Sequence, residues 1–121
     1  MHALALAYVG DTVYDLFVRT VLVCTRALPV HDLHVEASNS VNAGAQARAA
    51  HALMDEFTEE ELSVYKRGRN AKSHTVPKNA NVSDYRAATG LEAVLGYLYL
   101  SGREDRAFEL LARAMGGSPQ E

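Results

Sequence analysis

Two carboxylates stand where apolar helices would normally carry none. The stretch LALAYVGDTVYDLFVR, from Leu4 to Arg19, contains Leu4, Leu6, Tyr8, Val9, Val13, Leu16, Phe17 and Val18, and sets Asp11 among them. The stretch SDYRAATGLEAVLGYLYL, from Ser83 to Leu100, is equally apolar after Gly90 and sets Glu92 in the run. A desolvated carboxylate is costly unless it is paired or holds a cation. Small residues lie near both acids at helical spacing, Ala7 and Gly10 beside Asp11, Ala88 and Gly96 beside Glu92. Such spacing leaves room for something other than a side chain. Taken singly, either acid reads as well as a structural group that caps a neighbouring helix or bonds an arginine. Taken together, in one small domain, they can converge. Two close carboxylates repel and raise each other's pKa. A divalent cation relieves this, and oxygen ligands suit Mg²⁺, which keeps its waters and reaches towards phosphate. A site with few protein carboxylates and open positions suits metal-assisted attack on a phosphodiester.

A basic segment precedes the Glu92 helix. Between Leu62 and Ser83 there is no Asp or Glu, and the window holds Lys66, Arg67, Arg69, Lys72 and Lys78 out of 12 basic residues. The net charge of −3 argues against nucleic acid only as an average. A concentrated basic segment still presents a local anion-binding face. Lys66, Arg67, Arg69, Lys72, Lys78 and Arg86 are the candidates for phosphate contact, with Asn79 as a loop-shaping or backbone-contacting residue. The competing reading is a solvated charged face. Gly68, Asn70, Pro77 and Asn79, rather than balancing acids, favour the anion-binding one.

Other titratable groups read more plainly. Asp15 is spaced to pair with Arg19 along one helix. His31 and His34 share a helix face, but no acid or thiol completes a zinc set, so they are surface or cap residues. His74 lies in the basic loop and faces either an anion or solvent. The acids Asp55, Glu56, Glu59, Glu60 and Glu61 suit a helix N-terminus. Glu56 and Glu59 also admit an all-α nucleotide pyrophosphatase, which needs further paired acids on a second helix, where only Glu92 is available.

The elements that must position these groups are helices. Sustained period-2 alternation is absent, and alanine and leucine dominate the apolar pattern. The pattern predicts an all-α domain of five or six helices. The first runs from about Ala3 to Cys24 and has apolar surface over more than the usual stripe of about 100°, so it has neighbours on more than one side. A second helical region runs from about His31 to Met54 and is weakest at Ser38 to Asn42. Thr58 and Glu61 form a capping-box start for a third, which fades into Lys66 to Asn70. Ala71 to Val82 shows no periodicity and reads as a functional or disordered loop. Ser83 is placed to cap the Glu92 helix, which stops at Gly102, and a last helix runs from Arg103 to Met115. The domain is drawn over 1–117, with 118–121 a frayed tail.

A chain of 121 residues is one domain that buries roughly two thirds of its unfolded surface, so it needs no disulfide or structural metal to fold. The single Cys24 makes no internal disulfide, which fits a reducing, cytoplasmic setting. No apolar run reaches the ~18 residues of a membrane span. No basic region precedes the first apolar stretch, so no signal peptide is read.

The residues GDTVYDLFV, preceded by LALAYV, resemble the signature helix of the ribonuclease III endonuclease domain. The segment KRGRNAKSHTVPKNANVSDYRAATGLEAVLGYLYL resembles the Mini branch of that family, which lacks a double-stranded-RNA-binding domain. The resemblance spans Ala3 to about Leu111. It implies a ribonuclease III-like all-helical fold, a homodimer built on the signature helices, and metal-dependent hydrolysis of double-stranded RNA with Mg²⁺, for which Mn²⁺ substitutes. It implies products with 5′-phosphate and 3′-hydroxyl ends, and a role in maturing bacterial large-subunit ribosomal RNA from its precursor. The family's metal-binding acids fall on Asp11 and Glu92. Larger ribonuclease III enzymes carry two further carboxylates, at the positions of Ala7 and Thr89; Mini-type sequences resemble this one in lacking both. A non-catalytic RNA-binding scaffold on the same fold is the alternative within the family, and retention of both acids argues against it.

Overall fold

The computed structural model describes residues 1–72, 76, 78 and 81–116. These form six helices, α1 (Ala3–Thr25), α2 (Val30–Ser40), α3 (Ala43–Ala52), α4 (Glu59–Asn70), α5 (Val82–Leu100) and α6 (Glu104–Ala114). No strand occurs among the described residues. The expected frayed tail, and Asn79, Pro77 and His74 of the loop, lie outside them.

The centre of the molecule is α5. It packs against α1, α3, α4 and α6. Leu91, Ala93, Val94, Leu95 and Leu98 are all 0% exposed, so the helix is buried almost all round. That is the burial expected of a helix apolar on every side. The first helix has neighbours on several sides, as its wide apolar surface predicts, but it is a partner of α5 rather than the hub. It also keeps an exposed stripe with Tyr8 at 83%, Leu16 at 50% and Val23 at 65%.

Local chemistry sets the helix ends. The weak stretch at Ser38 to Asn42 is a true break: α2 ends at Ser40, and the Asn42 side chain accepts from the Ala45 N–H at 2.9 Å to start α3. The capping box on α4 forms as its sequence predicts, with Thr58 N–H donating to Glu61 Oε1 at 2.9 Å and Glu61 N–H to Thr58 Oγ1 at 3.1 Å. The cap of α5 is Asn81, not Ser83; its side chain accepts from the Asp84 N–H at 3.1 Å. Gly102, at φ 78°, turns the chain from α5 into α6 in the left-handed region that favours glycine.

One buried ion pair ties α6 to the start of α4. Glu61 is 1% exposed, and Arg106 donates to both of its carboxylate oxygens at 2.9 Å. Arg106 also donates to the Glu56 carbonyl at 2.9 Å, and Arg113 pairs with the Glu56 carboxylate at 2.8 Å.

Candidate active site

Glycine brings the two acids together. A Cβ at Gly10 would lie 1.7 Å from the Glu92 carbonyl oxygen, and one at Gly96 would lie 1.9 Å from the Leu6 carbonyl oxygen. Helices α1 and α5 therefore cross backbone to backbone. The room beside the acids, which their small neighbours suggested for a ligand, is filled at both glycines by the other helix. What the close crossing does instead is set Asp11 and Glu92 on one cleft, lined also by Tyr8, Gln46, Tyr85 and Thr89.

Asp11 is solvent-exposed, not buried as its apolar neighbours implied. The cleft opens on that side of α1. Glu92 is half-buried, and its pKa is pushed up to about 8. Burial is the largest cause; a hydrogen bond to Asp11 and the Asp11 charge add to it, and the Gln46 amide opposes it. Burial and the neighbouring Asp11 charge thus both favour the protonated form of Glu92. Neither acid forms an ion pair with a described Lys or Arg. The structural alternative, an acid bonded to an arginine, therefore has no partner here among the described residues.

The donor set fits a hard divalent cation that keeps much of its water. Its oxygen donors are two carboxylates, and no group of three or more His, Cys, Asp or Glu converges among the described residues. Mg²⁺ suits such a site, because it binds through one or two carboxylates and completes its shell with water and phosphate. Ala7 and Thr89 both line the same cleft, so the two positions where the resemblance places further carboxylates in larger enzymes face the site without contributing charge. The Thr89 hydroxyl donates back to the Tyr85 carbonyl at 2.9 Å.

Gln46 is the residue that sequence reasoning missed. It sits on α3, in the run AGAQARAAHA, and is 5% exposed. Its Nε2 donates to Glu92 Oε2 at 3.0 Å. A single glutamine among alanines was the available signal, but such residues usually face solvent.

The basic candidates divide into two groups. Lys72 and Arg86 line a cleft that shares Tyr85 and Thr89 with the acidic one. Lys66 and Arg67 line a separate groove with Glu59 and Leu62. They belong to the last turns of α4, which does not fade at Lys66 but continues to Asn70. Arg67 donates to the Met1 carbonyl at 2.9 Å. Arg69 is half-buried, with its guanidinium 5.8 Å from the Tyr65 ring centroid and its Nε donating to Asn70 Oδ1 at 3.2 Å. Lys78 is exposed, and Asn79 lies outside the described residues.

The other titratable groups are structural. Asp15 pairs with Arg19 at 3.0 Å, and His31 and His34 are exposed on α2. Of the two acids of the pyrophosphatase reading, Glu56 holds Arg113, and Glu59 lines the groove of Lys66 and Arg67, which Glu92 does not share. Their neighbours Glu60 and Glu61 hold Arg103 with Tyr97, and Arg106.

The sequence matches the family described as Ribonuclease III domain over residues 4–103. It is 49% identical over 111 residues to the Mini-ribonuclease 3 of Symbiobacterium thermophilum, covering 92% of this chain and 85% of that protein. It is 47% identical over 113 residues to the Mini-ribonuclease 3 of Enterococcus faecalis, covering 92% and 86%. The fold superposes on an X-ray crystal structure of a Fusobacterium nucleatum protein with a TM-score of 0.84 at 26% identity, covering 97% of this chain and 93% of that one.

Proposed function

The chain belongs to the ribonuclease III family, in its Mini branch, and from that premise we propose that it is a Mg²⁺-dependent endoribonuclease acting on double-stranded RNA. The observation that carries the metal site is the convergence of Asp11 and Glu92 on one cleft, where burial and the Asp11 charge push the Glu92 pKa up to about 8. Asp11 and Glu92 are the metal ligands. When bound, the cation supplies a water activated for attack and offsets charge that develops on the phosphate. Asp11, on the open side, presents its carboxylate to solvent and substrate. Glu92 accepts a hydrogen bond from Gln46. No side-chain nucleophile is required, so products carry 5′-phosphate and 3′-hydroxyl ends.

Lys72 and Arg86 attract the phosphates of the strand that enters the acidic cleft, because their own cleft adjoins it. Lys66, Arg67, Arg69, Lys78 and Asn79 extend the contact along the backbone of the duplex. RNA duplexes are read mainly through shape, phosphates and 2′-hydroxyls, which is what such a charged surface offers. The exposed apolar stripe of Tyr8, Leu16 and Val23 supports an isologous homodimer built on α1. A ribosomal RNA precursor is the proposed substrate and the cytoplasm the proposed location. No described helix is long and apolar enough to cross a membrane.

End-group analysis of a cleaved duplex tests the reaction. A 5′-phosphate at the cut supports it. A 2′,3′-cyclic phosphate overturns it, since the attacking group would then be the RNA's own 2′-hydroxyl.

A further inference from the structure

Gln46 is a buried amide whose hydrogen bond goes to an acid of the proposed metal site. The helix that carries it packs on α5 chiefly through alanine; Ala47 is 1% exposed and Ala50 0%. Gln46 Nε2 donates to Glu92 Oε2 at 3.0 Å, and the residue also lines the acidic cleft. No buried side-chain oxygen or nitrogen among the described residues lacks a partner. Glu92 has a flexible side chain, and the last torsion of a carboxylate is broad. Fixing one oxygen from α3 removes that freedom and leaves the other oxygen for a ligand.

We propose that Gln46 is a positioning residue for the divalent cation: its amide holds the Glu92 carboxylate in the orientation that binds the metal. The proposal rests on the assignment of Asp11 and Glu92 as ligands. A group that orients a metal ligand typically changes affinity by about 10–100-fold when it is lost. A glutamine that only fills space would change stability and leave metal affinity alone.

The test is Mn²⁺ binding to the RNA-free protein, followed by the electron paramagnetic resonance signal of the free ion. Wild type, Gln46→Met, Gln46→Asn and Glu92→Gln are compared, with metal-free melting as the fold control. Methionine keeps the length and removes the amide; asparagine keeps an amide but is one methylene short. In both Gln46 variants the dissociation constant should rise about 10–100-fold, with metal-free melting little changed. The Mg²⁺ concentration for half-maximal cleavage should rise in parallel, while the rate at saturating Mg²⁺ falls much less. Binding within twofold of wild type in either folded Gln46 variant, with Glu92→Gln inactive in binding, overturns this proposal and leaves the ligand assignment standing. Equal binding by wild type and Glu92→Gln overturns the ligand assignment, and this proposal with it. Loss of the fold in both Gln46 variants makes the residue a packing group and also overturns the proposal.

Discussion

Gly10 rests on the backbone of Glu92, so closely that a Cβ at Gly10 would stand 1.7 Å from the Glu92 carbonyl oxygen. The residue that precedes one acid is thus pressed against the residue that carries the other. No side chain separates the two helices here, and the distance between the acids is fixed by main chain rather than by flexible groups.

Gly10→Ala should therefore do two things. Alanine favours a helix over glycine by about 1 kcal/mol. Here that gain is outweighed, because a rigid carbonyl occupies the space, and overpacking costs about 1–3 kcal/mol or more. Urea unfolding should show a net loss, and cleavage should fall with it. Gly44→Ala is the contrast: its Cβ would meet Asn42, Arg48 and Asp84 side chains only at 3.4, 3.6 and 4.0 Å. It should raise stability by about 0.4–1 kcal/mol.

The Glu92 carboxyl makes stability depend on pH in an unusual direction. Its pKa rises from 4.5 in the unfolded chain to about 8 in the folded one. Between those values the folded state holds a proton that the unfolded state has lost, so stability is greatest at low pH and falls as pH rises. The slope reaches at most about 1.4 kcal/mol per pH unit for one such group. Metal-free melting from pH 5 to above 8 should show the decline in the wild type but not in Glu92→Gln, so the difference between the two carries it. Added Mg²⁺ should restore stability at the alkaline end, because the cation replaces the proton.

Asp11→Asn separates a metal ligand from a structural acid. If Asp11 neutralised a buried cationic partner, its loss would cost about 3–5 kcal/mol. It has no such ion pair among the described residues, and its charge works against Glu92. The variant should be as stable as the wild type without metal, or more so. Stabilisation by Mg²⁺ through mass action should largely disappear, cleavage should drop by orders of magnitude, and duplex binding should survive. A strongly destabilised variant that still cuts RNA would remove Asp11 from the site.

Salt dependence should distinguish the two basic groups. Lys72→Ala and Arg86→Ala should each reduce the slope of log affinity against log salt by roughly one, with similar loss for all duplex sequences. Lys66→Ala, in the separate groove, should change it less. An unaltered slope in the Lys72 and Arg86 variants combined would make their cleft a solvated face.

Sedimentation at micromolar concentration should show a dimer, and Leu16→Lys or Val23→Lys on the exposed stripe of α1 should shift it to monomer. A fully active monomer would contradict the two-fold arrangement.

Much of this was legible from periodicity. The helices announced themselves by apolar spacing, and Thr58 with Glu61 marked the start of α4 because both halves of a capping box lie within four residues. The cap of α5 was misplaced because Asn81 and Ser83 are both good cap residues, and only the backbone geometry chooses Asn81. The acid pair was legible because Asp11 and Glu92 break apolar runs. Their burial was not, since neighbours along a helix do not reveal which side of it a cleft leaves open. Gln46 was invisible for the same reason, as its contact is with a residue 46 positions away. Lys66 and Arg67 lie near the Glu92 helix in sequence but line a groove of their own, a placement that sequence distance does not reveal.

Helix α5 bears on how such a protein could be redirected. Glu92 stands between Leu91 and Ala93, both 0% exposed, on a helix that four others enclose. Recognition and foldability share those positions, so random variation on the buried face of α5 would be purged as misfolded chains before any new specificity could be screened. Lys72 and Arg86 are different, because they face their cleft from exposed positions. Evolution, or a laboratory library, has its freedom there: substrate preference can drift at the rim while the buried face of α5 stays invariant.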